Sequence, residues 1–300
     1  MEKEHYYHMF ANGDDAKNFI TNENEFKAAF NRFALCQYLT GATVLSLSVE
    51  DTHPHALLWG NYECCRKFVD LYMDLSIRSI IQKRGTTDGI ILSCEMLEID
   101  DEQYLRNVGT YTITQATKDG KAVMPYDYLY GTGALYFRSR NAILPWLIDD
   151  SGHQMEPVKL GSLPVREQRI LSGSRRSLPP DYLVCNGVVL PTNYVDVRRF
   201  ESIYKTHNCF RAFMASGKAR DEEILRRMSE LRGVVIEDIQ ARSLCREACL
   251  QLFGKQTTRH LTTTERISLS QHLRKLYRIS YRQLSSLVGI PESELRKYVK

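Results

Sequence analysis

Along roughly the first 140 residues the apolar positions alternate with polar ones, then switch to helical spacing, several times over. His5-Tyr-Tyr-His-Met-Phe-Ala11 reads as a strand ending at the turn signal Asn12-Gly13. From Asn24 to Tyr38, Phe26, Phe30, Phe33 and Ala34 recur at helical spacing. Ala42 to Val49 is strand-like, with Val44, Leu45, Leu47 and Val49, and a second strand follows from His53 to Gly60. Tyr62 to Lys83 predicts a long amphipathic helix carrying Phe68, Leu71, Tyr72 and Leu75. Ile90 to Ser93 adds a short strand, and Asp100-Asp-Glu opens another helix with acids in its first turn, where they suit the dipole. Strands separated by helices, two of them adjacent in sequence, predict an α+β fold: an antiparallel sheet with helices packed on it.

The pattern then changes. Residues 149–193 hold Gly-Ser-Leu-Pro, Ser172-Gly-Ser-Arg-Arg-Ser and Leu178-Pro-Pro with little periodicity, the look of a linker between a first domain at 1–148 and a helical region at 194–300. Near the end, Leu269 to Tyr277 is a helical run, Ser280 and Gln283 have capping-box spacing, and Leu284, Leu287 and Val288 form an apolar face. Gly289 supplies a turn and Pro291 opens a third helix. Helix, short glycine-containing turn, helix is a helix-turn-helix pattern, here at about 265–299.

Composition adds one asymmetry to this picture. The net charge is +4, yet residues 251–300 hold 10 Lys+Arg against 3 Asp+Glu, leaving a balance of −3 for the rest. A basic C-terminal region points to a polyanionic partner and makes Arg282, Arg296 and Lys297 candidate DNA contacts. An apolar fraction of 43% and a charged fraction of 25% are those of an ordinary globular protein, and no apolar run is long enough to span a bilayer. With a charged N-terminus and no visible export signal, the eight cysteines read as reduced, mostly buried thiols, and a cytoplasmic, nucleoid-associated location is expected. His207, Cys209, Cys245 and Cys249 match no strong zinc spacing and read as core residues.

Two constellations carry chemistry. His53-Pro-His55 follows a strong strand, and residues two apart on a strand point to one face, so both imidazoles can approach one metal ion. Tyr111 and Gln115 are four apart on a helix, hence on one face one turn from each other. Together with the opening segment Tyr7-His8-Met-Phe-Ala-Asn-Gly and the run Glu102 to Gln115, these residues resemble the single-tyrosine HUH nucleases, the insertion-sequence and REP-associated tyrosine transposases. The resemblance covers about residues 5–140, with Tyr126 to Phe137 where that family closes its domain.

The resemblance implies an HUH endonuclease fold (ferredoxin-like, RRM-like). It implies Tyr111 as nucleophile and His53, His55 and Gln115 as ligands of Mg²⁺ or Mn²⁺. The activity implied is cleavage and rejoining of single-stranded or hairpin DNA through a covalent 5′-phosphotyrosine. Lys67, Arg78, Lys83 and Arg84, on the helix after the histidines, become candidate contacts to the DNA backbone. Members work as monomers and as dimers with composite sites, so a homodimer is an expectation the sequence leaves open; no membrane partner is expected. The family usually has a bulky apolar residue between its histidines. Pro54 departs from that, and a proline inside a central strand would disturb the ladder and the metal geometry. The rivals are a catalytically impaired DNA-binding regulator on the same scaffold, and a relaxase or replication initiator.

Overall fold

The computed structural model describes residues 3–11, 19–86, 93–118, 120–139, 141–231, 238–277, 279 and 281–299. At 229–231, 238–240, 275–277 and 282 it describes the backbone path alone. The expected turn at Asn12-Gly13, the cap at Ser280 and residues 90–92 of the expected fourth strand lie outside the described residues. The chain divides into two compact units, Met1–Ile224 and Leu225–Lys300.

The first unit is α+β. Its elements run β1 (His5–Ala11), α1 (Glu23–Thr40), β2 (Thr43–Val49), β3 (Pro54–Gly60), α2 (Tyr62–Arg84), β4 (Cys94–Ile99) and α3 (Glu102–Lys118). The four strands form one antiparallel sheet in the order β2-β3-β1-β4. Both long helices are bounded by the groups their sequences offer. Asn22 and Asn61 accept from the backbone N–H three residues on, and Gly41 and Gly85 take left-handed φ values of 75° and 73° past the last turns. At α3, Asp101 accepts from the Tyr104 N–H at 2.6 Å.

The described fourth strand runs from Cys94 to Ile99. It is an edge strand carrying Glu95 and Glu98, so its apolar signal is diluted by residues that face solvent. At the other edge, β2 is covered by the segment 128–136. There Val49 N–H donates to the Tyr130 carbonyl (2.8 Å), Thr132 N–H to Leu47 (3.0 Å), and Tyr136 Oη to Leu45 (2.6 Å).

Residues 149–193 are not a linker. They contain β5 (Val158–Lys159), α4 (Val165–Ser172), β6 (Leu183–Cys185) and β7 (Val188–Val189), and the three strands form a second small sheet. Asn31 of α1 anchors it: its amide donates to the Gly187 carbonyl (2.9 Å) and its Oδ1 accepts from the Val189 N–H (2.8 Å). Strands of two or three residues are too short to print a period-2 pattern, and the prolines between them read as punctuation.

Then α5 (Val197–Tyr204), α6 (His207–Ala215) and the start of α7 (Gly217–Leu231) complete the unit, so it extends to Ile224 instead of ending at 148. Tyr204 packs so closely on α3 that a Cβ at Gly109 would collide with its hydroxyl, which donates to the Arg106 carbonyl at 2.7 Å.

The second unit is helical: the rest of α7, then α8 (Asp238–Phe253), α9 (Thr263–Tyr277), α10 (Tyr281–Val288) and α11 (Glu292–Tyr298). Leu269, Leu273, Leu284 and Leu295 meet in its core together with Cys245 and Cys249. Between α10 and α11, Gly289 adopts a φ of 69° and its N–H donates to the Ser285 carbonyl (2.9 Å), which makes the tight turn the sequence predicts. Among the described residues, no helix is long and apolar enough to cross a membrane.

Candidate active site

The sheet presents two unlike faces because side chains alternate along each strand. On one face Tyr7 and Met9 of β1 stand beside Leu58 and Ala56 of β3, under α1 and α2. On the other, His8 and Phe10 stand beside Leu57 and His55, and α3 packs over β2 and β3. The registers therefore put His55 and His8 on adjacent central strands, facing α3.

Pro54 sits where proline is tolerated. It is the first residue of β3, pairs with Val49 of β2, and lies beyond the last residue of β3 paired with β1, His55 opposite Phe10. Among the described residues no ladder bond to β1 is lost there, so the strand pairing is not disturbed at this position. The preceding turn is closed by the Glu50 N–H donating to the His53 carbonyl (2.9 Å). His53 is half-buried, with Nδ1 at 2.6 Å from the Thr52 hydroxyl. Its ring centroid lies 4.6 Å from that of His55.

Tyr111 comes down from α3 onto this group. Its ring meets His55 edge-on at 5.4 Å between centroids and His8 at 6.0 Å, while His8 stacks on His55 at 5.7 Å. His8 is 0% exposed, His55 1% and Tyr111 6%. Burial pushes the phenol up to about 12. The Gln115 amide, one turn on, counters part of that rise, although its Nε2 makes no well-formed hydrogen bond among the described residues. Asp221 and Glu50 push in the same direction as burial, and Arg220 against it. At neutral pH only about one phenol in 10⁵ would be ionised.

A network behind the helix holds this side chain in place. Lys118 Nζ stands 3.9 Å above the Tyr111 ring and pairs with Asp221 of α7 at 2.9 Å. Arg220, 3% exposed, donates to Thr114 Oγ1 (3.0 Å) and to Asp221 (2.9 Å). Asn107 donates to Glu223 at 2.6 Å. Burial lowers the Lys118 ammonium below its usual value, with Asp221 working against it.

No family model and no curated protein matches the chain. The structure brings Tyr111 onto His55, with His53 beside it, and Gln115 stands one helical turn from Tyr111 on α3.

His8, Glu50, Lys118, Arg220 and Asp221 escaped the sequence reading. His8 carried a signal: it stands at an alternate position of a strand otherwise apolar on that side. Asp221 and Arg220 carried none, since nothing in sequence ties a residue more than a hundred positions away to α3.

The expected backbone contacts fare differently. Helix α2 covers the opposite face of the sheet from Tyr111, with Tyr62 against Tyr7. Lys67 and Arg78 stand in exposed i,i+4 pairs with Glu63 (3.2 Å) and Asp74 (2.8 Å), and Arg84 is held by Glu25 (2.7 Å). These three stand in ion pairs on the face of the sheet opposite Tyr111, because α2 follows β3 across the sheet edge to the far side. Lys83 lines a separate groove. In the second unit Arg296 stacks on Tyr281 at 4.5 Å and pairs with Glu292 (3.4 Å), Lys297 is exposed, and the Arg282 side chain is not among those described.

Among the described residues no three His, Cys, Asp or Glu side chains gather as a metal site. The expected donor set differs in kind, with two imidazoles and one amide. Neighbouring imidazoles at the mouth of a β-hairpin, with the amide one helical turn from a phenol that touches His55, have the chemistry of neutral N and O donors that a divalent ion accepts.

Proposed function

We propose that this chain is a tyrosine DNA endonuclease and strand-transferase of the transposase type, acting on single-stranded, hairpin-flanked DNA. The observation that carries the reading is the packing of the Tyr111 ring on His55 and His8, with His53 beside them. The β-α-β-β-α-β order and the sheet order β2-β3-β1-β4 support it, since a ferredoxin-like core of that kind is what the HUH reading requires. The helix-turn-helix in the second unit supports a DNA partner.

In this reading the Tyr111 oxygen attacks phosphorus in line with the 3′ oxygen. One P–O bond forms and one breaks, leaving a 5′-phosphotyrosine; the phenol gives up its proton and the departing 3′ oxygen takes one. A phosphodiester is exchanged for another, so a second 3′-hydroxyl can reverse the step and join strands without ATP. His53, His55 and Gln115 would hold Mg²⁺ or Mn²⁺, which supplies polarisation of the phosphate and orientation of the scissile bond. Lys118, above the ring, stabilises negative charge as the phenol loses its proton. The Arg220–Asp221–Lys118 chain keeps α3 in register with the histidines.

The test is a denaturing gel of the full chain with labelled hairpin DNA and Mn²⁺. A covalent adduct is expected, absent in Tyr111→Phe and strongly reduced in His55→Ala. An adduct that persists in Tyr111→Phe removes the assignment. A second reading, a DNA-binding regulator without activity, is favoured by the depth of burial of Tyr111 and His55; tight binding with no nicking at any Mg²⁺ or Mn²⁺ concentration would select it.

A further inference from the structure

On the α1/α2 side of the sheet, away from Tyr111, an open groove of about 1200 Å³ runs between the start of α1, the last turns of α2 and α4 with the loop after it. Lys27, Lys83, Arg166, Arg169 and Arg175 line it, and no described carboxylate does. The surrounding surface behaves in the opposite way. Arg66, Lys67, Arg78 and Arg84 are each matched by an acid. Within the groove only Lys27 has such a partner, Glu23 at 2.8 Å; Lys83, Arg166, Arg169 and Arg175 make no ion pair among the described residues. Five cations are thus collected in a stretch of chain, residues 1–250, whose own balance is −3. The four of them that lack a counter-charge among the described residues cost stability through mutual repulsion, which a polyanion relieves.

The size and the lining narrow down that polyanion. The groove is larger than the roughly 300–1,000 Å³ of small-molecule pockets and open to solvent. Apart from the cations its lining is aliphatic, amide, hydroxyl and glycine, with no aromatic ring among the described residues. Splayed single strands are held by stacking on aromatic side chains, whereas a paired stem keeps its bases inside and offers phosphates. We propose that this groove is a docking site for the sugar–phosphate backbone of a paired nucleic-acid segment, separate from the tyrosine site. The choice of nucleic acid over other polyanions rests on the reading given above; the charge and the missing aromatic rings do not.

The experiment measures equilibrium binding of a fluorescent DNA hairpin to the full chain across a salt series. Replacing Arg166, Arg169 and Arg175 together by Ala is expected to weaken binding at least tenfold at about 0.1 M salt. It should also flatten the log K against log salt slope by roughly 2 to 3, about 0.9 per lost phosphate contact. The triple Gln variant, which keeps side-chain bulk, must give the same loss, and Arg66→Ala, whose charge is already paired, must give none. The losses must be the same without added Mg²⁺ or Mn²⁺, where no adduct is expected, so a missing adduct speaks against the tyrosine chemistry and leaves the groove standing. An unchanged slope in both triple variants overturns the proposal. So does an unstructured strand of equal length bound equally well and equally weakened, and so does polyglutamate displacing the hairpin at matched charge.

Discussion

The two faces of the four-stranded sheet are made from alternate residues of the same strands, yet they are built on opposite principles. Under α1 and α2, Met9, Ala56, Leu58, Phe33 and Phe68 are 0% exposed and apolar. Under α3, the buried positions include His8, Ser46, Ser48, His55, Tyr111 and Gln115. Each polar group taken out of water costs free energy unless it is hydrogen-bonded or otherwise compensated. A face assembled for stability alone would repeat the apolar choice of its partner. Alternation along the same strands thus gives one apolar face and one that mixes apolar side chains such as Phe10 and Leu57 with buried imidazole, hydroxyl and amide groups.

That division can be broken from either side. The largest effect is expected from Tyr111→Phe. It removes one hydroxyl from the polar face, and adduct formation should fall to background, on the order of 10³-fold or more for loss of a nucleophile. The midpoint of chemical denaturation should move by no more than about 1 kcal/mol equivalent. Its mirror image is Leu58→Ala. A fully buried leucine on the apolar face should cost roughly 2–5 kcal/mol of stability. Adduct yield per folded molecule, measured below the transition, should stay within about threefold. If Leu58→Ala abolished the adduct while still folded, or Tyr111→Phe unfolded the chain, the two faces would not be separable.

Much of this contrast was legible in the sequence, and the remainder was hidden for physical reasons. The strands at His5–Ala11 and Thr43–Val49 and the helix at Tyr62–Arg84 followed from periodicity, because long elements with one buried side repeat their pattern often enough to be read. The spacing of His53 and His55, and of Tyr111 and Gln115, gave two pairs; only the registers of β1 on β3 and the packing of α3 bring them together and add His8. The short strands between Val158 and Val189 left no periodic trace, so a packed region looked like a linker. Asp221, Arg220 and the groove cations of α4 depend on long-range packing, which local pattern does not encode.

The polar face should also show itself in the pH dependence of stability. Burial on the polar face raises the Tyr111 phenol to about 12, whereas in the unfolded chain it titrates near its ordinary value of about 10. Between those values the unfolded state releases a proton that the native state keeps, so stability falls as pH rises. The contribution is fully present below about pH 10 and is lost by about pH 12. Other buried tyrosines on both faces, Tyr7 among them, behave in the same direction, so the informative quantity is a difference. Across that window the unaltered chain should lose about 2–3 kcal/mol more than Tyr111→Phe. Equal losses would mean that the phenol is not buried in solution.

The smallest effect is expected at Pro54, on the boundary between the two faces. Within a paired central strand, proline removes a ladder donor, and restoring that donor would stabilise the sheet. Here the residue opens β3, opposite Val49 and past the end of pairing with β1, so no bond to β1 awaits a donor. What proline supplies is a fixed φ at the exit of the Glu50–His53 turn, which limits the freedom of the unfolded chain. Pro54→Ala should therefore destabilise the chain slightly, by under about 1 kcal/mol, and change adduct formation less than about threefold. A large gain in stability would show that the strand continues through position 54 into the ladder. A large change in cleavage without one would mean that the rigid turn itself sets the angle between the His53 and His55 rings, moving Pro54 from the frame of the site into its working geometry.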